Sequence, residues 1–200
     1  MSNIVDPLVA QIATRVRAER EQRRWTLAQV ADASGVSRAM INRIERAESC
    51  PTAIVLSKLA VAFQVRISDL LTPAEDSADA APKSGEQVTG VRRRADATEW
   101  RDPATGYRRR QITGPRFPAD IAEIRLPPGA RVPYPAAYLA YMREVIWVLD
   151  GRLTFHEGDA VHDLGPGDSI ELVEPVPHVF ANTGDTECRY AIIMTRVDSP

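Results

Sequence analysis

Residues 25–47 read WTLAQVADASGVSRAMINRIERA, and this stretch decides the fold. Thr26 stands three residues before Gln29, the T-x-x-Q spacing in which the two residues satisfy each other's free backbone donors at a helix start. Leu27, Val30 and Ala31 give that helix one apolar face. Gly35 stops it, because glycine accepts the left-handed conformation at a helix end. Ser37 caps the next helix, over residues 38–47, with Ile41 and Ile44 pointing inward. Two short helices therefore meet at a tight turn. The second carries Arg38, Ala39, Asn42 and Arg43 on one open face near its N-terminal end.

Outward from this corner the helical period continues. Leu8, Ile12, Ala13 and Val16 line one side of a helix over residues 8–23. Pro51 and Thr52 open a fourth helix, whose Ile54, Leu56, Leu59, Ala60 and Phe63 are spaced for a core. A short fifth helix is predicted at Ile67–Leu71, capped around Ser68. Residues 8–72 thus read as an all-α domain of five helices. Residues 73–89, PAEDSADAAPKSGEQVT, have valine as their single large apolar side chain and read as a linker. Over residues 90–200 the texture changes to period two. Strands are predicted at Tyr107–Ile112, Ile121–Leu126, Glu144–Leu149, Leu153–His156, Ser169–Leu172, Val179–Asn182 and Arg189–Thr195. Asp150-Gly151 between two alternating runs marks a hairpin. Many short strands with turn residues between them predict an all-β barrel or sandwich.

An apolar content of 44% supports folded cores, and 26% charge is ordinary. The net charge of −2 hides an asymmetry: residues 1–71 hold 10 Lys/Arg and 7 Asp/Glu, against 15 and 20 in the remainder. The N-terminal third is the part suited to nucleic acid. Cys50 and Cys188 form no C-x-x-C pair, so neither a zinc knuckle nor a disulfide framework is suggested. The opening MSNIVDPLVA lacks the basic start and apolar run of an export signal, and no apolar stretch reaches the roughly 18 residues of a membrane span. A cytoplasmic protein without a membrane partner is expected.

The open face has the chemistry of base reading. Arginine can donate two bonds to a guanine edge, asparagine can pair with adenine, and alanine can touch a thymine methyl. Ser37 and the free N–H groups behind it can face a phosphate, and Arg46, Ser49 and Thr52 lie where further phosphates would pass. A charged helix face is more often merely solvated. Here Val30, Ala31, Val36, Ile41 and Ile44, with Gly35 and the small Ala33, supply the core of a tight two-helix corner.

The segment VADASGVSRAMINRIE resembles the Cro/C1-type helix-turn-helix family, also called XRE, and the resemblance covers about residues 12–71. It implies sequence-specific binding of double-stranded DNA, as a homodimer on a pseudo-palindromic operator. It also implies a buried ion pair between Arg20 and Glu45. One family feature departs: a phosphate-contacting glutamine early in the second helix is Leu27 here, so Thr26 or backbone groups must take that contact.

The β region resembles a cupin, the double-stranded β-helix barrel. Glu144 and Gly151 in EVIWVLDG fit the first cupin motif, and Gly167, His178 and Asn182 in GDSIELVEPVPHVFAN fit the second. The first motif's histidine positions fall on Tyr138 and Ala140, or on Ala137 and Leu139 with the longer spacing. An iron or manganese centre wants three or four nitrogen and oxygen ligands. Glu144 and His178 alone are too few, so neither metal nor cofactor is expected. The two are expected instead to hydrogen-bond to each other in a pocket lined by Tyr138, Tyr141 and Arg143, binding an unknown small-molecule effector. His156 and His162 are expected as exposed hairpin residues, and Trp147 either near the pocket or on the outer sheet.

Together the resemblances imply a bacterial transcription regulator, not an enzyme, in which an all-α five-helix domain is followed by a cupin sensor and dimerisation barrel. The alternative is a metal-dependent cupin enzyme like the hydroxypropylphosphonate epoxidases, which share this layout and hold iron with two histidines and a glutamate. Ala140 stands where the remaining histidine should be. A pure interaction protein without DNA binding is a third reading, against which Arg38, Asn42 and Arg43 speak.

Overall fold

The computed structural model describes residues 6–72, 90–114 and 117–196, so the linker expected at 73–89 lies outside the described residues. Helix α1 spans Pro7–Gln22, α2 Leu27–Ser34, α3 Arg38–Glu45, α4 Ala53–Phe63 and α5 Ile67–Leu71. The local signals act as their chemistry dictates. Thr26 Oγ1 accepts from the Gln29 N–H at 3.2 Å, while Gln29 Oε1 accepts from the Thr26 N–H at 2.8 Å. Gly35 ends α2 in the left-handed region at φ 65°. Ser37 Oγ accepts from the Met40 N–H at 3.2 Å.

Two details differ from the expectation. Helix α3 stops at Glu45, with Arg46 as its C-terminal cap. The first residue outside α5 is Arg66, whose N–H is taken by the Asp69 carboxylate at 2.9 Å. Ser68 is buried and turns away to donate to Asp120 Oδ2 of the barrel at 2.8 Å.

Ile12, Val16, Val30, Ile41, Ile44, Leu56, Leu59 and Phe63 are buried together. Arg20 of α1 clamps Glu45 at the end of α3, with Nε–Oε1 at 2.7 Å and Nη2–Oε2 at 2.8 Å. Its Nη1 also donates to the Trp25 carbonyl at 3.2 Å, tying in the approach to α2. Removing one member of such a pair strands the other charge. Arg17 lies 3.8 Å from Glu45 and can take part of the load, and the Arg20 side chain is 18% exposed. Arg20→Ala is therefore expected to cost about 3 kcal/mol, the low end for a broken buried pair. Chemical denaturation followed at Trp25 checks this, and an unmoved midpoint contradicts it.

Ten strands follow among the described residues: β1 Glu99–Arg101, β2 Arg108–Gln111, β3 Asp120–Leu126, β4 Arg131–Tyr134, β5 Met142–Asp150, β6 Leu153–Glu157, β7 Ala160–Leu164, β8 Ser169–Leu172, β9 His178–Ala181 and β10 Cys188–Arg196. They pair antiparallel in two sheets, one in the order β1-β2-β3-β10-β5-β8 and one in the order β4-β9-β6-β7. A short 3-10 turn, Ala136–Leu139, connects β4 to β5. Gly151 turns the β5–β6 hairpin at φ 76°, where a Cβ would stand 2.7 Å from the Glu187 carbonyl oxygen.

Alternation decides what enters the barrel. On β3 Asp120, Ala122, Ile124 and Leu126 are buried. On β5 Met142, Glu144, Ile146 and Val148 are buried, while Arg143 and Trp147 are exposed. The outward residues of β2 and β3 make ion pairs, Arg110 with Glu123 at 2.7 Å and Arg125 with Glu187 at 3.1 Å.

The barrel docks on α4 and α5. Besides the Ser68–Asp120 bond, Gln64 Nε2 meets the Tyr141 hydroxyl at 3.3 Å, and Arg196 lies 4.0 Å from Asp69. A cleft of about 180 Å³ opens between the two halves, with Ala60, Val61 and Gln64 on one wall and Ala137, Tyr138 and Arg196 on the other. No helix among the described residues is long and apolar enough to cross a membrane.

Candidate functional site

Helix α3 buries Ile41, Ile44 and Glu45 and leaves Arg38, Ala39, Asn42, Arg43 and the capping Arg46 exposed. The Thr26 and Ser37 hydroxyls sit at the exposed starts of α2 and α3, and Thr52 caps α4 by accepting from the Val55 N–H at 3.3 Å. Each of these hydroxyls accepts from backbone and keeps its own proton to donate. Ser49 is half-buried in the loop after α3. Arg46 is engaged by Glu48 at 2.8 Å, an exposed pair that a phosphate can exchange.

The second site is inside the barrel. Glu144 on β5 and His178 on β9 are 2% and 1% exposed. The expected hydrogen bond between them is not formed. His178 Nδ1 donates to the Val176 carbonyl at 3.2 Å, which leaves Nε2 as a bare acceptor, and both Glu144 oxygens are without a partner. Burial pushes the Glu144 carboxyl up to about 8, with Arg109 pulling it down and Asp120 adding to the rise. Burial lowers His178, against the Val176 carbonyl and Glu157, so the imidazole is held neutral.

Arg109 of β2 is buried and pairs with Asp120 at 3.2 Å. Asp120 also accepts from Ser68 of α5 and from Gln111 Nε2. Tyr138 is buried in the turn before β5, its hydroxyl 3.4 Å from Met194 Sδ. Met194 lies opposite both Asp120 and Glu144 in the sheet register, so Tyr138, Asp120 and Glu144 share one end of the barrel. Tyr134 packs on Tyr138 at 5.1 Å and stacks on His178 at 5.5 Å. The Tyr190 hydroxyl and Arg109 Nε are also buried without partners, while the Tyr107 hydroxyl lies within reach of Tyr134 and Arg109.

Of the expected pocket residues Tyr138, Glu144 and His178 are buried, and Tyr138 also lines the cleft together with Tyr141. Tyr141 and Arg143 are corrections. Tyr141 is 51% exposed and belongs to the cleft beside Gln64. Arg143 points out of the barrel, because Glu144 next to it on the strand points in. His156 and His162 are half-buried rather than exposed, His156 beside Arg131 and His162 bonded to Glu157 at 3.2 Å. Sequence reasoning missed Arg109, Asp120, Tyr107 and Tyr190. The phase of β2 offered a signal: in YRRRQ, Arg109 falls on the same side as Tyr107, and Arg108 and Arg110 on the other.

Cupin barrels commonly hold a metal, and the donors here do not suit one. Among the described residues no three His, Cys, Asp or Glu side chains gather to hold an ion. Ala140, at a histidine position of the motif, is exposed beyond the turn. The Arg109 guanidinium, close enough to act on Glu144, adds a positive charge where a dication would have to sit.

Helix-turn-helix head and cupin barrel are thus both present. Residues 16–70 match the helix-turn-helix family HTH_3, and residues 122–194 match the cupin domain family Cupin_2. The chain therefore carries an XRE-type (HTH_3) helix-turn-helix domain followed by a cupin domain. It is similar to the HTH-type transcriptional regulator SutR of Escherichia coli (strain K12), with 25% identity over 181 residues that cover 90% of this chain and 92% of SutR. It shares its fold with an HTH_3 family transcriptional regulator from Vibrio cholerae, at a TM-score of 0.74 and 22% identity, over 96% of this chain and 98% of that one. Hydroxypropylphosphonic acid epoxidase from S. wedmorenis matches at a TM-score of 0.45 and 18% identity over 93% and 97% of the two chains, too loose a likeness to argue from.

Proposed function

We propose that this chain is a sequence-specific DNA-binding transcription regulator whose α3 enters the major groove and whose barrel binds a small-molecule effector. The carrying observation is the α3 surface: Arg38, Ala39, Asn42 and Arg43 stand exposed at the N-terminal end of a helix whose other side is packed. In helix-turn-helix proteins that end of the second helix meets base edges. Arg38, Ala39, Asn42 and Arg43 read bases. Thr26, Ser37, Arg46, Ser49 and Thr52 hold phosphates. The similarity to SutR supports a regulator over an enzyme.

The head occupies residues 8–72, the linker 73–89 and the effector barrel 90–200 on this reading. Tyr138, Glu144 and His178 bind the effector together with Arg109. Binding as a homodimer on a pseudo-palindromic operator would use the barrel for pairing. Trp147, 48% exposed on the outer face of β5 beside Ala191, is an apolar surface of the kind that a second copy covers.

Selection of bound fragments from genomic DNA tests the proposal. The chain is expected to enrich one pseudo-palindromic sequence, and enrichment of none overturns the reading. Arg43→Ala is expected to weaken binding to the selected site by about 1–3 kcal/mol and to relax the sequence at one position of each half-site. A titration with labelled duplex checks this, and an unchanged affinity removes Arg43 from the reading set.

A further inference from the structure

We propose that the cleft between the helical head and the barrel binds a small monocarboxylate with an apolar body, its carboxylate on Arg196 and its body against Val61 and Ala137. This site lies outside the barrel interior and goes beyond the effector reading above.

Shape is the first observation. The cleft holds about 180 Å³. Pockets for drug-sized ligands run to about 300–1,000 Å³, so a ligand here is a small one. Its floor is apolar: Ala60, Val61 and Val65 come from the head, and Ala137 and Met142 from the barrel. An apolar body laid there is removed from water, which favours binding.

The mouth is the second. Gln64 Nε2 donates to the Tyr141 hydroxyl at 3.3 Å across the cleft. The amide keeps a second N–H, and the hydroxyl keeps its own proton to donate. Gln64 closes α4 in the left-handed region at φ 56°, where glycine is the residue without steric cost. The chain thus sets an amide at this mouth against the preference of its backbone. Tyr138 adds no donor, because its hydroxyl is turned to Met194 Sδ at 3.4 Å.

Charge is the third. Arg196 is the one charged residue that lines the cleft among the described residues. Its neighbour Asp69 stands 4.0 Å away and is already bonded to Arg66 at 2.7 Å. An incoming carboxylate can take two parallel N–H bonds from the Arg196 guanidinium at shorter range, with the Gln64 and Tyr141 donors beside it. An ammonium would meet a like charge there, and an alcohol brings no charge. Since the walls come from both halves, such a ligand favours the arrangement in which head and barrel are docked.

Isothermal titration calorimetry on the full chain without DNA tests the assignment with sodium benzoate, sodium isovalerate, benzyl alcohol, benzylamine hydrochloride and sodium sulfate. The two carboxylates are expected to bind, and the alcohol and the amine at least about tenfold more weakly. Sulfate, a charge without an apolar body, is expected not to compete. Arg196→Gln is expected to lose about tenfold or more in benzoate affinity. Ala137→Phe, at an exposed position of the wall, is expected to lose as much by filling the cleft. Arg189→Gln, near the other end of β10, is expected to lose none. Melting curves establish that the three variants are folded. Preference for the amine, displacement of benzoate by sulfate, or a loss in Arg196→Gln that Ala137→Phe does not share would each overturn the proposal. So would absence of carboxylate binding, including the case in which sedimentation shows a dimer that Ala137→Phe dissociates, since a second copy then covers the cleft. The genomic selection separates this site from the regulator reading. Selective DNA binding without carboxylate uptake removes the site and leaves the regulator. Carboxylate uptake without DNA selection does the reverse.

Discussion

Arg109→Met is expected to destabilise the protein by about 3–5 kcal/mol, the cost of leaving one member of a buried ion pair behind. Arg109 and Asp120 are both buried, and their 3.2 Å contact is the only ion pair Asp120 makes among the described residues. With the guanidinium gone, Asp120 keeps the neutral donors of Ser68 and Gln111 and the more distant charge of Arg66. Glu144 also loses the one positive charge that acts to lower it. Methionine keeps much of the bulk, so the loss reports charge rather than a cavity. Asp120→Asn in the Arg109→Met background should recover part of the loss, because both charges are then absent. Urea denaturation of the single and double variants gives the coupling. Strictly additive effects would show that the two side chains do not act as a pair.

The second large effect is a pH dependence that belongs to Glu144. Its carboxyl is pushed up to about 8 by burial, against an ordinary value of 4.5. Between those values the native state holds a proton that the unfolded chain has released. This contribution to stability is fully present below 4.5 and is lost as pH rises through 8, at about 1.4 kcal/mol per pH unit. His178 acts with the opposite sign. Its pKa is lowered from 6.5, so its contribution is present above 6.5 and is lost as pH falls. Above 6.5 His178 is neutral in both states, and the slope between pH 6.5 and 8 is that of Glu144. The charged and titratable groups that interact with Glu144 are Arg109, Asp120 and the hydroxyls of Tyr107, Tyr138 and Tyr190. Stability is therefore expected to fall by about 2 kcal/mol from pH 6.5 to 8. Glu144→Gln should be flat over that window and the more stable of the two at pH 8. Melting temperatures across the window check this, and parallel curves for the two proteins would contradict it.

The helical head was legible because its signals are local. The Thr26–Gln29 box, the Gly35 stop and the Ser37 cap each need only a few neighbouring residues, and each is found as read. The barrel was legible where strands are central. Its unread strands, β1, β4 and β7, all lie at sheet edges. An edge strand needs less apolar alternation: β4 carries Pro133, and β7 buries no residue fully. The pocket was half legible. Glu144 and His178 came from the cupin motifs, but neither Arg109 nor Asp120 belongs to one. Arg109 is one of three consecutive arginines, and only the strand's phase separates it from its neighbours. The same phase, applied to β5, excludes Arg143 once Glu144 is placed inside. Ser68 resembled a cap in sequence, because its actual partner, Asp120, is 52 residues away.

Asp120 takes the Ser68 hydroxyl with the same oxygen that faces Arg109. The innermost positive charge of the shell and the last helix of the head are therefore tethered to a single atom. On the proposed reading, a guest that tugs on that guanidinium need not bend a strand to be felt, because two short links carry the pull from the barrel to the helical head.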